Sequence, residues 1–224
     1  NALNYVSLPG VDLIDQERII RNIICFDKKI DLNSKINSEL ELLSKLIYDY
    51  WFLQFEFPDA NGKPYKSSGG EMEFKKEVKK EIPKGWTIRK LSEVADCIMG
   101  QSPKGDTYNN EGKGIGLING PADYKNKGLY CKTFTTSPSR ICQKDDLVLC
   151  IRATIGNLVY SESEYCLGRG VAAVRPKNKQ YSESIYFHLL NEINRFKVHA
   201  GGSIIKGISR DDLSDSYYIN PAFL

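Results

Sequence analysis

Histidine is nearly absent from this 224-residue chain, with only His188 and His199, and the six cysteines (Cys25, Cys97, Cys131, Cys142, Cys150 and Cys166) never form a C-x-x-C pair. A structural zinc site needs closely spaced thiolate and imidazole ligands, so no metal is expected and the cysteines read as reduced, core or half-buried thiols. Long apolar runs are missing too. Stretches such as Leu147 to Ile151 are far too short to cross a bilayer, and no basic-then-apolar leader opens the chain. The expectation is a cytoplasmic protein without a membrane segment.

Catalytic motifs are equally scarce. Neither H-E-x-x-H nor G-x-S-x-G occurs, and neither histidine stands beside a plausible nucleophile. Asp145-Asp146 and Asp211-Asp212 come nearest to paired carboxylates, but they sit in what read as a turn before a strand and a helix start, where capping explains them. Asn220-Pro221-Ala222-Phe223 superficially matches the loop with which amino-methyltransferases grip adenine. Nothing in the chain supplies the Gly-rich loop that such an enzyme needs for its methyl donor. No catalytic residue and no cofactor are expected.

What is present is organised unevenly. Residues 1–83 carry 12 Lys and Arg against 14 Asp and Glu, whereas residues 84–224 carry 19 against 14, so the second part holds the positive excess that a phosphate-facing surface needs. Hydrophobic residues make up 41% of the chain, enough for a real core. From Asp15 to about Phe55 there is neither Gly nor Pro, and Ile19, Ile23, Phe26, Ile30, Leu40, Ile47 and Trp51 fall on a register of alternating four and three steps whose intervening positions, Asn33, Asn37 and Ser44, make the stripe polar in its middle. This spacing predicts a helix of coiled-coil length over 13–56, about 60 Å long at 1.5 Å per residue. A second line, Ile36, Leu40, Leu43, Ile47 and Tyr50, widens its apolar face. Such a helix needs a partner.

Pro58-Asp59-Ala60-Asn61-Gly62 and Lys66-Ser67-Ser68-Gly69-Gly70 are turn chemistry, and 57–83 reads as a linker. From 84 to 224 short apolar segments alternate with Gly, Pro, Asn and Asp, interrupted by helical spacing at Ile185, Leu189, Ile193 and Phe196. The fold class expected is α+β, a long helix followed by a mixed, β-rich domain. Tyr5 and Pro9 are echoed by Tyr217 and Pro221 at the same offset, the spacing of a repeat made of one helix and one β-rich domain, with 1–12 as the terminal segment completing it.

Several passages, taken in order, resemble the specificity subunits of type I restriction-modification systems, the HsdS family. They are Leu8-Pro9-Gly10, Asp15-Gln16-Glu17-Arg18-Ile19, Leu46-Ile47-Tyr48-Asp49-Tyr50-Trp51-Phe52, Gln54-Phe55-Glu56-Phe57-Pro58 and Ile82-Pro83-Lys84-Gly85-Trp86. Within the second domain Gly100-Gln101-Ser102-Pro103, Arg152-Ala153-Thr154-Ile155-Gly156 and Gly168-Arg169-Gly170 are similar to one class of target-recognition domain. The resemblance implies a sequence-specific subunit that binds double-stranded DNA, holds methyltransferase and restriction subunits, and has two recognition domains kept apart by antiparallel spacer helices. This chain holds one of each, so it is either half of a longer subunit or a half-size protein that forms a homodimer through the helix.

Reading DNA takes cations and amides on phosphates, and Arg, Lys, Asn or Gln on base edges. The candidates are Gln101, Lys104 and Asn109 in a polar, turn-rich segment, Lys113 and Asn119 in the next, Arg152 and Arg169 beside glycines, and Ser203 and Lys206 in a Gly-flanked loop. For the two arginines the alternative is burial against a carboxylate; for the loops it is simple solvation. A competing reading of the whole chain is a non-catalytic scaffold or oligomerisation module built on the long helix.

Overall fold

A computed structural model describes residues 10–152, 155–199 and 207–222. The chain divides into two units, 1–50 and 51–224.

In the first unit, helix α1 spans Leu13–Tyr48. The Asp12 side chain caps it, accepting from the Asp15 N–H at 2.8 Å. Short-range pairs such as Arg18 with Asp15 and Arg21 with Glu17 support the exposed surface, each contributing a few tenths of a kcal/mol. No α1 residue is buried, and Ile19, Ile23, Phe26, Ile30, Leu40 and Ile47 are all exposed. Apolar side chains are not confined to that seam: Ile20, Ile24, Leu32, Leu42 and Leu46 stand exposed on other faces. A helix that is apolar on several sides is built to be covered on several sides.

The α-helical pattern widens into a π-helical turn over Asp49–Leu53, and Phe55, buried and at φ +63°, ends it in the left-handed conformation typical of helix termini. Trp51, assigned to the helix seam from its spacing, instead belongs to the second unit and packs with Phe52 in its aromatic cluster. There Phe57 stacks on Trp86 at 5.0 Å and on Tyr65 at 4.7 Å, and Phe55 meets Trp86 edge-on. The passage 57–83 is therefore folded where composition suggested a linker. It carries the hairpin β1 (Met72–Lys75) and β2 (Lys80–Pro83). Of its glycines Gly70 serves packing: a Cβ there would lie 2.4 Å from the Tyr65 ring.

Next come β3 (Thr87–Lys90), the short helix α2 (Leu91–Val94), β4 (Ala95–Met99), β5 (Tyr108–Asn109), β6 (Ile115–Ile118), β7 (Tyr124–Lys125), β8 (Gly128–Leu129) and β9 (Thr133–Thr135). They are followed by β10 (Ile141–Cys142), β11 (Leu147–Cys150), β12 (Leu158–Tyr160), β13 (Tyr165–Leu167), β14 (Val171–Pro176), α3 (Ser182–His199), α4 (Arg210–Ser214) and β15 (Tyr217–Asn220). A four-stranded sheet runs in the order β12-β11-β14-β4, and a five-stranded one in the order β10-β13-β6-β9-β5.

Side chains alternate between the two faces of a strand. On β11 and β14, Val148, Cys150, Val171 and Ala173 face a core shared with Ile118, Cys142 and Leu167 of the five-stranded sheet, while Leu147, Leu149, Ala172 and Val174 face Ile185, Leu189 and Ile193 of α3. The central sheet is thus buried on both sides, which explains the unbroken apolar run on β11. The result is the α+β class expected, a long helix followed by a β-rich domain. Strand β15 closes the domain by pairing with β3, Tyr218 opposite Arg89.

Candidate nucleic-acid interface

Five segments meet at one end of the central sheet. Strand β4 delivers Gly100 and Gln101, the turn before β10 delivers Arg140, β11 runs into Ile151 and Arg152, the β13–β14 junction carries Arg169, and Ile208–Arg210 lead into α4. Together they line a cleft of about 480 Å³, and among the described residues no carboxylate stands on its wall. All four arginines, 140, 152, 169 and 210, are exposed, and among the described residues none forms an ion pair. Four like charges converging without counter-charges repel one another until an anion arrives.

The backbone beneath them is tightly held. Gly100 N–H donates to Val171 O at 3.0 Å, Gln101 N–H to Leu167 O at 2.8 Å, and Gly168 N–H to Ile118 O at 2.8 Å. Ile151 N–H reaches Gly170 O at 2.9 Å and Ile208 N–H reaches Ile151 O at 2.8 Å, so the segments lie edge to edge. The Ser139 hydroxyl also donates to Gln101 O. Ser209 caps α4, accepting from the Asp212 N–H at 3.1 Å while Asp212 accepts from the Ser209 N–H at 2.8 Å; this turns Arg210 outward at the first helical position.

Gln101, Arg152 and Arg169 were legible as candidates and are brought together here. The burial proposed as an alternative for the two arginines belongs instead to Arg175, which pairs with the buried Asp146. Lys104, Asn109, Lys113 and Asn119 do not line the cleft. The Asn109 amide closes its own turn, donating to Lys113 O at 2.9 Å and accepting from Lys113 N at 3.0 Å, while Lys113 pairs with Glu111 at 2.6 Å. Asn119 lies under Arg169, its backbone N–H bonded to Asp123 at 2.7 Å. Ser203 and Lys206 lie outside the described residues. Arg140 and Arg210 escaped sequence reasoning, because a turn residue and a helix-start residue carry no signal of which distant segments they will join.

A larger cavity, about 530 Å³, opens at the opposite end of the same sheet. Its charges are mixed, with Arg175 paired to Asp146 at 2.8 Å and Lys179 to Asp145 at 3.6 Å, so unlike the arginine cleft it carries carboxylates beside its cations. Other titratable groups are structural. Burial drives His188 down to about 4 and Cys150 up to about 11, and raises Cys97, Cys131 and Cys142, leaving neutral and unreactive groups. Among the described residues no cluster of three or more His, Cys, Asp or Glu could hold a metal, and no helix is long and apolar enough to cross a membrane.

Residues 83–220 match the sequence profile of the type I restriction modification DNA specificity domain. The chain belongs to that family. A Methanocaldococcus jannaschii specificity-subunit relative, assigned by name to the type I restriction enzyme MjaX, is 27% identical over 214 residues, 94% of this chain and 48% of its own length. The structure of the HsdS subunit from Thermoanaerobacter tengcongensis aligns with a TM-score of 0.55 at 25% identity, covering 96% of this chain and 48% of that one. The type I restriction-modification S subunit from M. genitalium aligns with a TM-score of 0.61 at 17% identity over 95% and 51% of the two chains, a likeness of fold. This specificity-domain chain thus spans about half the length of the relatives it matches.

Proposed function

We propose that this chain reads one half-site of a bipartite DNA target and directs methyltransferase and restriction subunits to it in the cytoplasm, contributing recognition and no catalysis. The observation that carries the reading is the arginine cleft: four exposed, unpaired guanidiniums around a wall without carboxylates. Its test is binding to duplex DNA over a range of salt concentrations. Phosphate contacts release counterions, so affinity must fall by orders of magnitude between 50 and 200 mM salt if several phosphates are held. Salt-insensitive or absent binding sinks the reading.

The helix supplies the second part of the proposal. Its apolar residues are exposed on several faces, and the chain spans about half of its relatives. We assign one face to the α1 of a second copy, antiparallel, so that two recognition domains are held at a set distance, and another to a methyltransferase subunit. Two-fold symmetry then gives two inverted half-sites separated by a gap that the helices determine. The same exposed helix is what favours the second reading, a scaffold or oligomerisation module, and DNA binding separates the two.

A further inference from the structure

Gln101 and the four arginines of the cleft do not stand on equal footing. Gln101 and Arg169 leave the part of its floor where backbones pack most closely. A Cβ on Gly100 would lie 2.1 Å from Gly168 O, one on Gly168 1.9 Å from Asn119 Oδ1, and one on Gly170 2.0 Å from Asn119 O. Real Cβ atoms do not come so near; at Gly100 and Gly170 the obstacle is backbone, so glycine is required on one side of Gln101 and on one side of Arg169, while at Gly168 it is the Asn119 amide that would have to move. Each therefore rises as the single long side chain of its stretch, on a backbone fixed by the hydrogen bonds at Gly100, Gln101 and Gly168. A side chain rooted this way starts from a reproducible backbone position, which discrimination between bases demands and phosphate binding does not.

Their chemistry points the same way. A carboxamide offers one donor and one acceptor edge, and a phosphate, which only accepts, leaves half of it unused; the adenine edge, with N6–H and N7, engages both. The guanidinium fork matches O6 and N7 of guanine. Arg140, Arg152 and Arg210 come from three separate segments around this floor, the arrangement needed to meet the backbones that flank a groove. We infer that Gln101 and Arg169 determine base specificity while Arg140, Arg152 and Arg210 clamp phosphates, an assignment that rests on the DNA-binding reading above.

The test is selection from a pool of random duplexes by the full chain, with the bound fraction sequenced and affinity followed against salt. Gln101→Ala and Arg169→Lys, the second of which keeps the charge, are expected to retain salt-dependent binding to the pool while each relaxes preference at one base pair by about 5- to 100-fold. Arg152→Ala and Arg210→Ala are expected to weaken all sequences alike and to lower the salt slope by about one each. Undiminished preference in Gln101→Ala and Arg169→Lys overturns the assignment alone. A wild-type chain that binds no duplex overturns the DNA-binding reading, and this inference with it.

Discussion

Arg175 on β14 donates through Nε and Nη2 to the two carboxylate oxygens of Asp146, at 2.9 and 2.8 Å, just before β11 begins. Asp146 is almost fully buried and also accepts from the Gln143 N–H at 2.7 Å, so the turn into β11 is pinned to the neighbouring strand. Removing the guanidinium leaves a buried charge with one backbone partner. Arg175→Ala is expected to cost about 3 kcal/mol in urea unfolding, and Arg175→Lys to restore only part of it because an ammonium cannot fork. A loss below about 1 kcal/mol would mean that the pair is solvated.

His188 is buried on α3, 3.1 Å from the Ser216 hydroxyl and edge-on to Tyr218. Burial, with a smaller push from Arg195, lowers its pKa to about 4 from an unfolded value near 6.5. Between those values the unfolded chain binds a proton that the folded one refuses, so stability present above pH 6.5 is lost as pH falls towards 4. The drop is about 2 kcal/mol between pH 7 and pH 5. His188→Gln is expected to flatten that stretch of the stability profile; an unchanged slope would assign it to other groups.

Glycine at position 100 is a packing requirement. Its missing Cβ would collide with the Gly168 and Val171 carbonyl oxygens at 2.1 and 2.6 Å, both backbone atoms that cannot rotate away. Gly100→Ala is expected to destabilise the domain by about 2 kcal/mol and, by shifting Gln101, to relax base preference while salt-dependent binding to random duplex is retained. Undiminished base preference in this variant would show that the floor of the cleft yields.

Helix α1 is the place to test assembly. Ile23→Asp with Ile30→Asp puts two charges on the exposed seam and leaves every residue of 51–224 unchanged. Analytical ultracentrifugation at micromolar concentration is expected to show a dimer for the wild type and a monomer for the double variant, with circular dichroism of the β-rich domain preserved. A wild-type monomer would remove the homodimer from the proposal.

The parts legible in the amino-acid order are those governed by local physics. Absence of Gly and Pro with a four-three apolar rhythm suffices for α1, because helix formation depends on near neighbours. The apolar segments of β11 and β14, the spacing of Ile185, Leu189 and Ile193, and capping at Asp212 are local in the same sense. Reading 57–83 as a linker missed because Pro and Gly mark turns equally in a loop and in a tight hairpin, and only the stacking of Phe57 between Tyr65 and Trp86 tells them apart.

The arginine cleft belongs to the other category. Composition shows a positive excess after residue 84, and a polar, turn-rich segment and glycine-containing passages single out Gln101, Arg152 and Arg169, but residue types alone do not say which cations converge and which are neutralised. That selection depends on strand order and register: with β11 and β14 adjacent and antiparallel, the start of β14 is brought beside the end of β11, and Arg169 beside Arg152, while the same pairing carries Arg175 to the opposite end and buries its charge on Asp146. Sequence by itself determined the elements and the chemistry available to them. Tertiary structure decided which charges were left without partners, because pairing between segments far apart in the chain is a property of the packed sheet.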